Sequence, residues 1–191
     1  MRLRLAQTAL LPLLMLCGCS FLSSKPSQFY TLEPTAPQGT VTATAGLPLG
    51  VDLVLPPGVN RKEIVTRRSN GQLEIRGREQ WTALLEPLVA HTLTVDLANR
   101  LPNGTVIFPG QPLPDGPTRS LDVAVEQLAA GPGSNVTLDA LCTLREPGKA
   151  PVVRHEHVSV EINSLDSASI AAGISKALAE LADRLAKNAA Q

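Results

Sequence analysis

Few residues in this 191-residue chain have the chemistry to act on another molecule, and their spacing decides what each can do. His155-x-His157 is the pair at metal-ligand spacing. On an extended strand both imidazoles point to one face, opposite Val158, Val160 and Ile162. Two ligands fall short of a zinc site, and His91 has no positional link to them. The pair therefore reads as solvent-face histidines, and neither a metal nor a cofactor is expected. No serine stands in Gly-x-Ser-x-Gly with a motif-linked base. Gly104, Gly110 and Gly116 fit neither the P-loop nor the dinucleotide fingerprint. Cys142 lies mid-run in Ala140-Leu141-Cys142-Thr143-Leu144, sharing a face with Val136, Leu138, Ala140 and Leu144. That position makes it a buried structural thiol, not a nucleophile. No catalytic constellation emerges, and the chain reads as a non-enzyme.

The remaining thiol chemistry sits near the N-terminus. Arg2 and Arg4 precede an apolar run from about Leu5 to Leu16, which closes on Leu16-Cys17-Gly18-Cys19. A basic start, a short apolar core and a small residue before the cut form a secretory signal. The run is shorter than the ~20 apolar residues that cross a bilayer. Leu16, Gly18 and Cys19 stand where a lipobox has its leucine, its small residue and its modified cysteine. Residues 1–18 are thus the expected signal peptide. Cys19 becomes the first residue of the mature chain and the site of lipid attachment, palmitate included. Several acyl chains anchor such a protein stably, each buried methylene contributing about 0.8 kcal/mol. Ser20 follows the cysteine where aspartate would signal inner-membrane retention. By that resemblance to lipoproteins of two-membrane bacteria, the expected location is the outer membrane, facing the periplasm. With Cys17 removed and Cys19 acylated, Cys142 has no disulfide partner.

Beyond the signal, the chain is long enough for one domain with its own core. Seventeen basic and seventeen acidic residues balance, so no basic face invites nucleic acid. Residues 19–27 form a lipidated tether, and Ser20–Ser27 spans at most roughly 30 Å. The domain, residues 28–191, is held close to the membrane.

The elements that would position these residues follow from periodicity. Phe29–Leu32, Leu49–Leu55, Ile64–Arg67 and Gln72–Arg76 read as strands, the last two joined through Ser69-Asn70-Gly71 as a hairpin. Pro34–Pro48 reads as a loop. Leu85, Leu88, Val89, Leu93, Leu97 and Leu101 form the stripe of an amphipathic helix over about residues 84–101, with Pro87 in its first turn. Thr105–Phe108 is a short strand, and Pro109–Pro117 an irregular loop. Three longer strands follow as a meander: Leu121, Val123 and Val125 alternating with Asp122, Ala124 and Glu126, then Asn135–Arg145, then Val152–Ile162. A second amphipathic helix over about 167–187 carries Ile170, Ile174, Leu178, Leu181 and Leu185, capped by Asp166 or Ser167. The expected class is α+β, a mainly antiparallel sheet with two principal amphipathic helices packed on it. Arg61, Arg67 and Arg68 make a small basic cluster about the hairpin, either a solvated face or a docking surface for acidic groups. Trp81 reads as a core residue or an interface anchor.

The segment Leu55-Pro56-Pro57-Gly58-Val59-Asn60-Arg61-Lys62-Glu63-Ile64-Val65-Thr66-Arg67 resembles the signature of the ABC-type transport auxiliary lipoproteins, the PqiC-like family. The likeness continues through Gln80-Trp81, Glu86-Pro87-Leu88 and Leu97-Ala98-Asn99-Arg100-Leu101-Pro102. Phe29-Tyr30-Thr31-Leu32 is similar to the family's strand just past the anchor. The spacing from Trp81 to Pro87 is longer than the family's, and the Pro109–Pro117 loop is extended. The resemblance implies a non-enzymatic accessory subunit of an MCE/ABC-type intermembrane lipid transport system. Its partners would be the membrane, through lipidated Cys19, and an MCE-domain, PqiB-like protein docked at the outer membrane. Lipid and a second copy of the chain are further partners compatible with it. Two other classes stand beside this reading. One is a stand-alone lipid- or ligand-binding envelope lipoprotein, which needs an apolar cavity. The other is an envelope hydrolase, which needs a nucleophile and base that the sequence does not show.

Overall fold

A computed structural model describes residues 26–37 and 46–189. Its elements run β1 (Gln28–Tyr30), β2 (Leu49–Val54), β3 (Glu63–Arg67), β4 (Leu73–Trp81), α1 (Leu85–Ala98), β5 (Val106–Ile107), β6 (Arg119–Gly131), β7 (Asn135–Arg145), β8 (Val152–Glu161) and α2 (Ser167–Ala189). Four strands, a helix, four strands and a helix is the order that the periodicity predicts, and the class is α+β. Among the described residues no helix is long and apolar enough to cross a membrane.

The sheet differs from expectation. It is a single mixed sheet of eight strands, not a mainly antiparallel one. Most strand pairings are parallel: β1 with β4, β2 with β5, β2 with β6, and β3 with β6. The antiparallel pairings are the β3–β4 hairpin and the β6–β7–β8 meander, both anticipated from their turns. For three of the four parallel pairings, β2–β5, β2–β6 and β3–β6, the cause is the chain between β2 and β6. It contains a hairpin and α1, and a helix-bearing connection returns a strand beside its predecessor in the same direction.

β6 organises the sheet. On one edge its first half pairs with β2, from Leu49↔Arg119 to Val54↔Ala124, and its second half meets β3 at Thr66↔Ala130. On the other edge it pairs with β7 along its whole length. The register shifts between Val125 and Gln127, a bulge at Glu126. Leu121, Val123 and Val125 are buried before it, and Leu128 and Ala130 after it. One inserted residue changes which parity faces inward, so the bulge keeps the apolar side chains of a long strand on one face.

Both helices cover that face. α2 lies on β7 and β8, and α1 lies against α2 and β2. α2 is amphipathic as predicted, burying Ile170, Ile174, Leu178, Leu181 and Leu185. It packs tightly at Gly173, where a Cβ would lie 2.5 Å from Ile162 Cγ2 and 2.8 Å from Val136 Cγ2. Asp166 caps α2, its Oδ1 accepting the Ser169 N–H at 2.8 Å. At the other end Arg119 Nη1 donates to the Ala189 carbonyl at 2.9 Å, a cation at the negative end of the helix dipole.

α1 is not the amphipathic helix its leucine stripe suggests. Besides Leu85, Val89, Leu93 and Leu97 it buries Thr92, Thr94 and Asp96, and its polarity has almost no directional bias. A helix covered on several sides buries its polar positions too. Thr94 Oγ1 satisfies itself by donating to the Ala90 carbonyl at 2.7 Å.

Candidate functional site

Cys19, the predicted lipid-attachment residue, lies outside the described residues, as do the signal peptide and most of the tether. The structure instead shows how the chain arriving from that side joins the domain. After β1, residues 31–37 cross the helical layer as an extended strap. Leu32 is buried. The Glu33 N–H donates to Ser175 Oγ of α2 at 3.0 Å, and the Thr35 N–H donates to Asp96 Oδ1 of α1 at 2.8 Å.

Asp96 belongs to a buried polar cluster. Its side chain and that of Arg100 are fully buried. Arg100 Nη1 donates to the Asp96 carbonyl at 2.8 Å and to the Thr35 carbonyl at 3.2 Å, while Arg100 Nε donates to Asp183 Oδ1 of α2 at 2.6 Å. The guanidinium thus joins α1, α2 and the strap. Burial raises the Asp96 carboxyl above the ordinary carboxylate range, opposed by the Thr35 N–H and the Arg100 charge. The sequence places Asp96 and Arg100 one helical turn apart, but neither α2 nor the strap can be seen in that spacing.

The segment before β3 has a similar structural task. Leu84, at the start of α1, caps the helix with no side-chain hydrogen bond. The cap comes from outside: Asn60 Oδ1 accepts the Glu86 N–H at 3.1 Å, and the Arg61 carbonyl accepts the Leu85 N–H at 3.2 Å. Glu86 Oε2 in turn accepts the Leu55 N–H at 2.9 Å. The residues between β2 and β3 are therefore a clasp on the N-terminus of α1. Pro87 fits beside it in the first turn, where a missing N–H costs nothing.

Trp81 ends β4 and is 2 % exposed, a core residue and not an interface anchor. The basic cluster is largely neutralised within the hairpin. Arg61 pairs with Glu63 at 3.3 Å and Arg68 with Glu74 at 3.1 Å, while Arg67 is exposed. Cys142 is buried, and desolvation pushes its thiol up to about 12, which leaves it protonated and unreactive at neutral pH. His91 lies exposed on α1.

His155 and His157 are exposed on one face of β8, as alternation predicts, and each has its own carboxylate. His155 Nε2 lies 2.7 Å from Glu126 Oε2, and His157 Nδ1 lies 2.5 Å from Asp139 Oδ1. The bonded carboxylate raises the His155 pKa above its ordinary value. Among the described residues no group of three or more histidine, cysteine, aspartate or glutamate side chains could hold a metal ion.

These histidines sit on the sheet face turned away from both helices. Val54, Leu73, Ile75, Leu141 and Val153 are exposed there. Arg67 pairs in register with Leu73, and Val65 with Ile75, extending the same side. The face mixes apolar side chains with the His155–Glu126, His157–Asp139 and Arg145–Asp122 pairs.

A family model described as ABC-type transport auxiliary lipoprotein component matches residues 30–186. Among curated proteins, none matches the chain. Two solved structures share the fold. The crystal structure of an uncharacterized protein is 18% identical, with a TM-score of 0.72 over 86% of this chain and 99% of that one. The crystal structure of XCC0632 from Xanthomonas campestris, under the family model DUF330, is 14% identical. Its TM-score is 0.66 over 83% of this chain and 92% of that one.

Proposed function

This chain belongs to the ABC-type transport auxiliary lipoprotein family, and from that premise we propose that it is the outer-membrane-anchored accessory subunit of an MCE/ABC-type intermembrane lipid transport system. In this reading Cys19 carries the lipid anchor, and the domain docks the periplasmic end of an MCE-domain partner at the membrane. It performs no catalysis. The observation that carries the reading is the one-sided construction of the domain. Strap and helices share one side of the sheet, and among the described residues nothing covers the other side, where Val54, Leu73, Ile75 and Leu141 are exposed. That face is the proposed docking surface. Anchoring raises the effective concentration of the two partners, so each protein–protein contact can be individually weak.

Affinity capture of the lipidated full chain from membranes, under conditions that preserve complexes, tests the partner. Co-purification of an MCE-domain protein is expected, weakened by Ile75→Asp or Leu141→Asp with the thermal midpoint unchanged. Capture with no such protein overturns the docking role. Fractionation tests the anchor separately: Cys19→Ala should leave the outer membrane for the soluble periplasmic fraction.

A further inference from the structure

A cavity of about 250 Å³ opens where the C-terminal end of α2 parts from the β7–β8 turn. Its floor is apolar and comes from five elements: Leu49 of β2, Leu97 of α1, Leu121 of β6, Cys142 of β7 and Leu185 of α2, all buried. Well-packed interiors rarely leave a void larger than a water molecule, and an apolar one holds water poorly. The mouth is different. Lys149, Glu146 and Arg154 stand there. Lys149 and Glu146 pair with each other at 3.0 Å. Arg154 is in register with Cys142, so it projects from the helix-facing side of the sheet above the cavity floor. Among the described residues it joins no ion pair. Arg154 therefore stands as an exposed cation at the mouth of an apolar cavity, beside exposed Val152, while Val158 and Val160 further along the same side of β8 are buried.

We infer that this cavity binds a single-chain amphiphile with an anionic head, the chain lying on Leu121, Cys142 and Leu185 and the head meeting Arg154 and Lys149. Its volume, just below the roughly 300 Å³ where small-molecule sites begin, suits one short chain and excludes a two-chain lipid. The recognition is amphipathic: apolar burial supplies attraction, and a charge-assisted hydrogen bond selects the head. A free fatty acid and a lysophospholipid share this chemistry. The site lies on the helical side, away from the proposed docking face, and is independent of it.

Photolabelling the lipidated full chain, held in amphipol, with a diazirine-bearing dodecanoic acid tests the site. Labelling is expected on the peptides containing Leu121, Cys142 or Leu185. Dodecanoate or lysophosphatidate should displace it, and whichever is stronger identifies the head; dodecanol should displace it on the order of tenfold less well. Arg154→Glu, an exposed substitution, should cut labelling by about the same factor without moving the thermal midpoint. Labelling spread evenly over the chain, equal competition by dodecanol, or labelling untouched by both Arg154→Glu and Lys149→Glu would overturn the inference.

Discussion

Asn60 caps α1 from outside the helix, its Oδ1 accepting the Glu86 N–H at 3.1 Å across a separation of 26 residues. The Glu86 carboxylate accepts the Leu55 N–H in return. The two bonds fasten the start of α1 to the β2–β3 segment at both Leu55 and Asn60, a cap made through tertiary contact instead of along one turn. It gives the Leu55–Arg67 signature a physical reason: that segment completes a helix end whose own cap residue, Leu84, has no acceptor to offer.

Removing the cap should be measurable. Asn60→Ala is expected to lose about 1 kcal/mol, lowering the thermal midpoint by roughly 2–4 °C. Asn60→Asp, which keeps the acceptor oxygen, should stay close to the parent. Equal midpoints for the alanine variant and the parent would rule out a capping role.

The Arg100 cluster should respond asymmetrically. Arg100→Met leaves Asp96 buried without its charge partner, a loss of about 3–5 kcal/mol, or roughly 10 °C in midpoint. Combining it with Asp96→Asn removes the stranded charge while keeping an acceptor for the Thr35 N–H. The double variant should recover most of the loss. Denaturant titration of the two variants decides it: a double variant less stable than Arg100→Met contradicts the account.

Gly173 is kept by space and not by helix propensity. Alanine there would gain about 1 kcal/mol as a helix former, against overpacking costs of about 1–3 kcal/mol. The atoms it meets, on Ile162 and Val136, belong to β-branched side chains with little rotamer freedom. Gly173→Ala should therefore lower the midpoint. A raised midpoint would show that α2 can shift outward without loss.

The His155–Glu126 pair predicts a pH dependence. Glu126 bonds His155 and holds its pKa above the ordinary 6.5. A group whose pKa is raised by folding contributes its stability in full below the unfolded value. That contribution fades as pH rises through the folded value, so stability should decline slightly above 6.5. NMR titration of the His155 ring should give a midpoint above that of Glu126→Gln, and the substitution should remove the decline. Coincident titration curves would exclude the Glu126 contact in solution.

Much of the fold is legible along the chain. Alternation placed Val136, Leu138, Ala140 and Cys142 on the buried side of β7 and both β8 histidines on the other, and all six are found so. Period-two and period-3.6 patterns report which side of an element loses its water, because that depends only on residue order and backbone geometry. The Asn70-Gly71 turn was equally readable, with Gly71 at φ 81°.

Other features depended on what covers each element, and periodicity does not carry that. A leucine stripe reads the same on a helix with one neighbour or several, so the burial of Thr92, Thr94 and Asp96 came from packing. The parallel seating of β2 beside β6, the Glu126 bulge and the reach of Arg100 to Asp183, 83 residues on, arose from contacts between distant segments. The sequence by itself determined the elements, the inward faces of the strands and of α2, the buried structural place of Cys142 and the lipobox expectation at Cys19. Only the tertiary structure decided the strand order, the strap stitched to the helices and which sheet face stays open among the described residues. Strand order and stitching are hydrogen bonds whose two partners carry no mark of each other until the chain has folded.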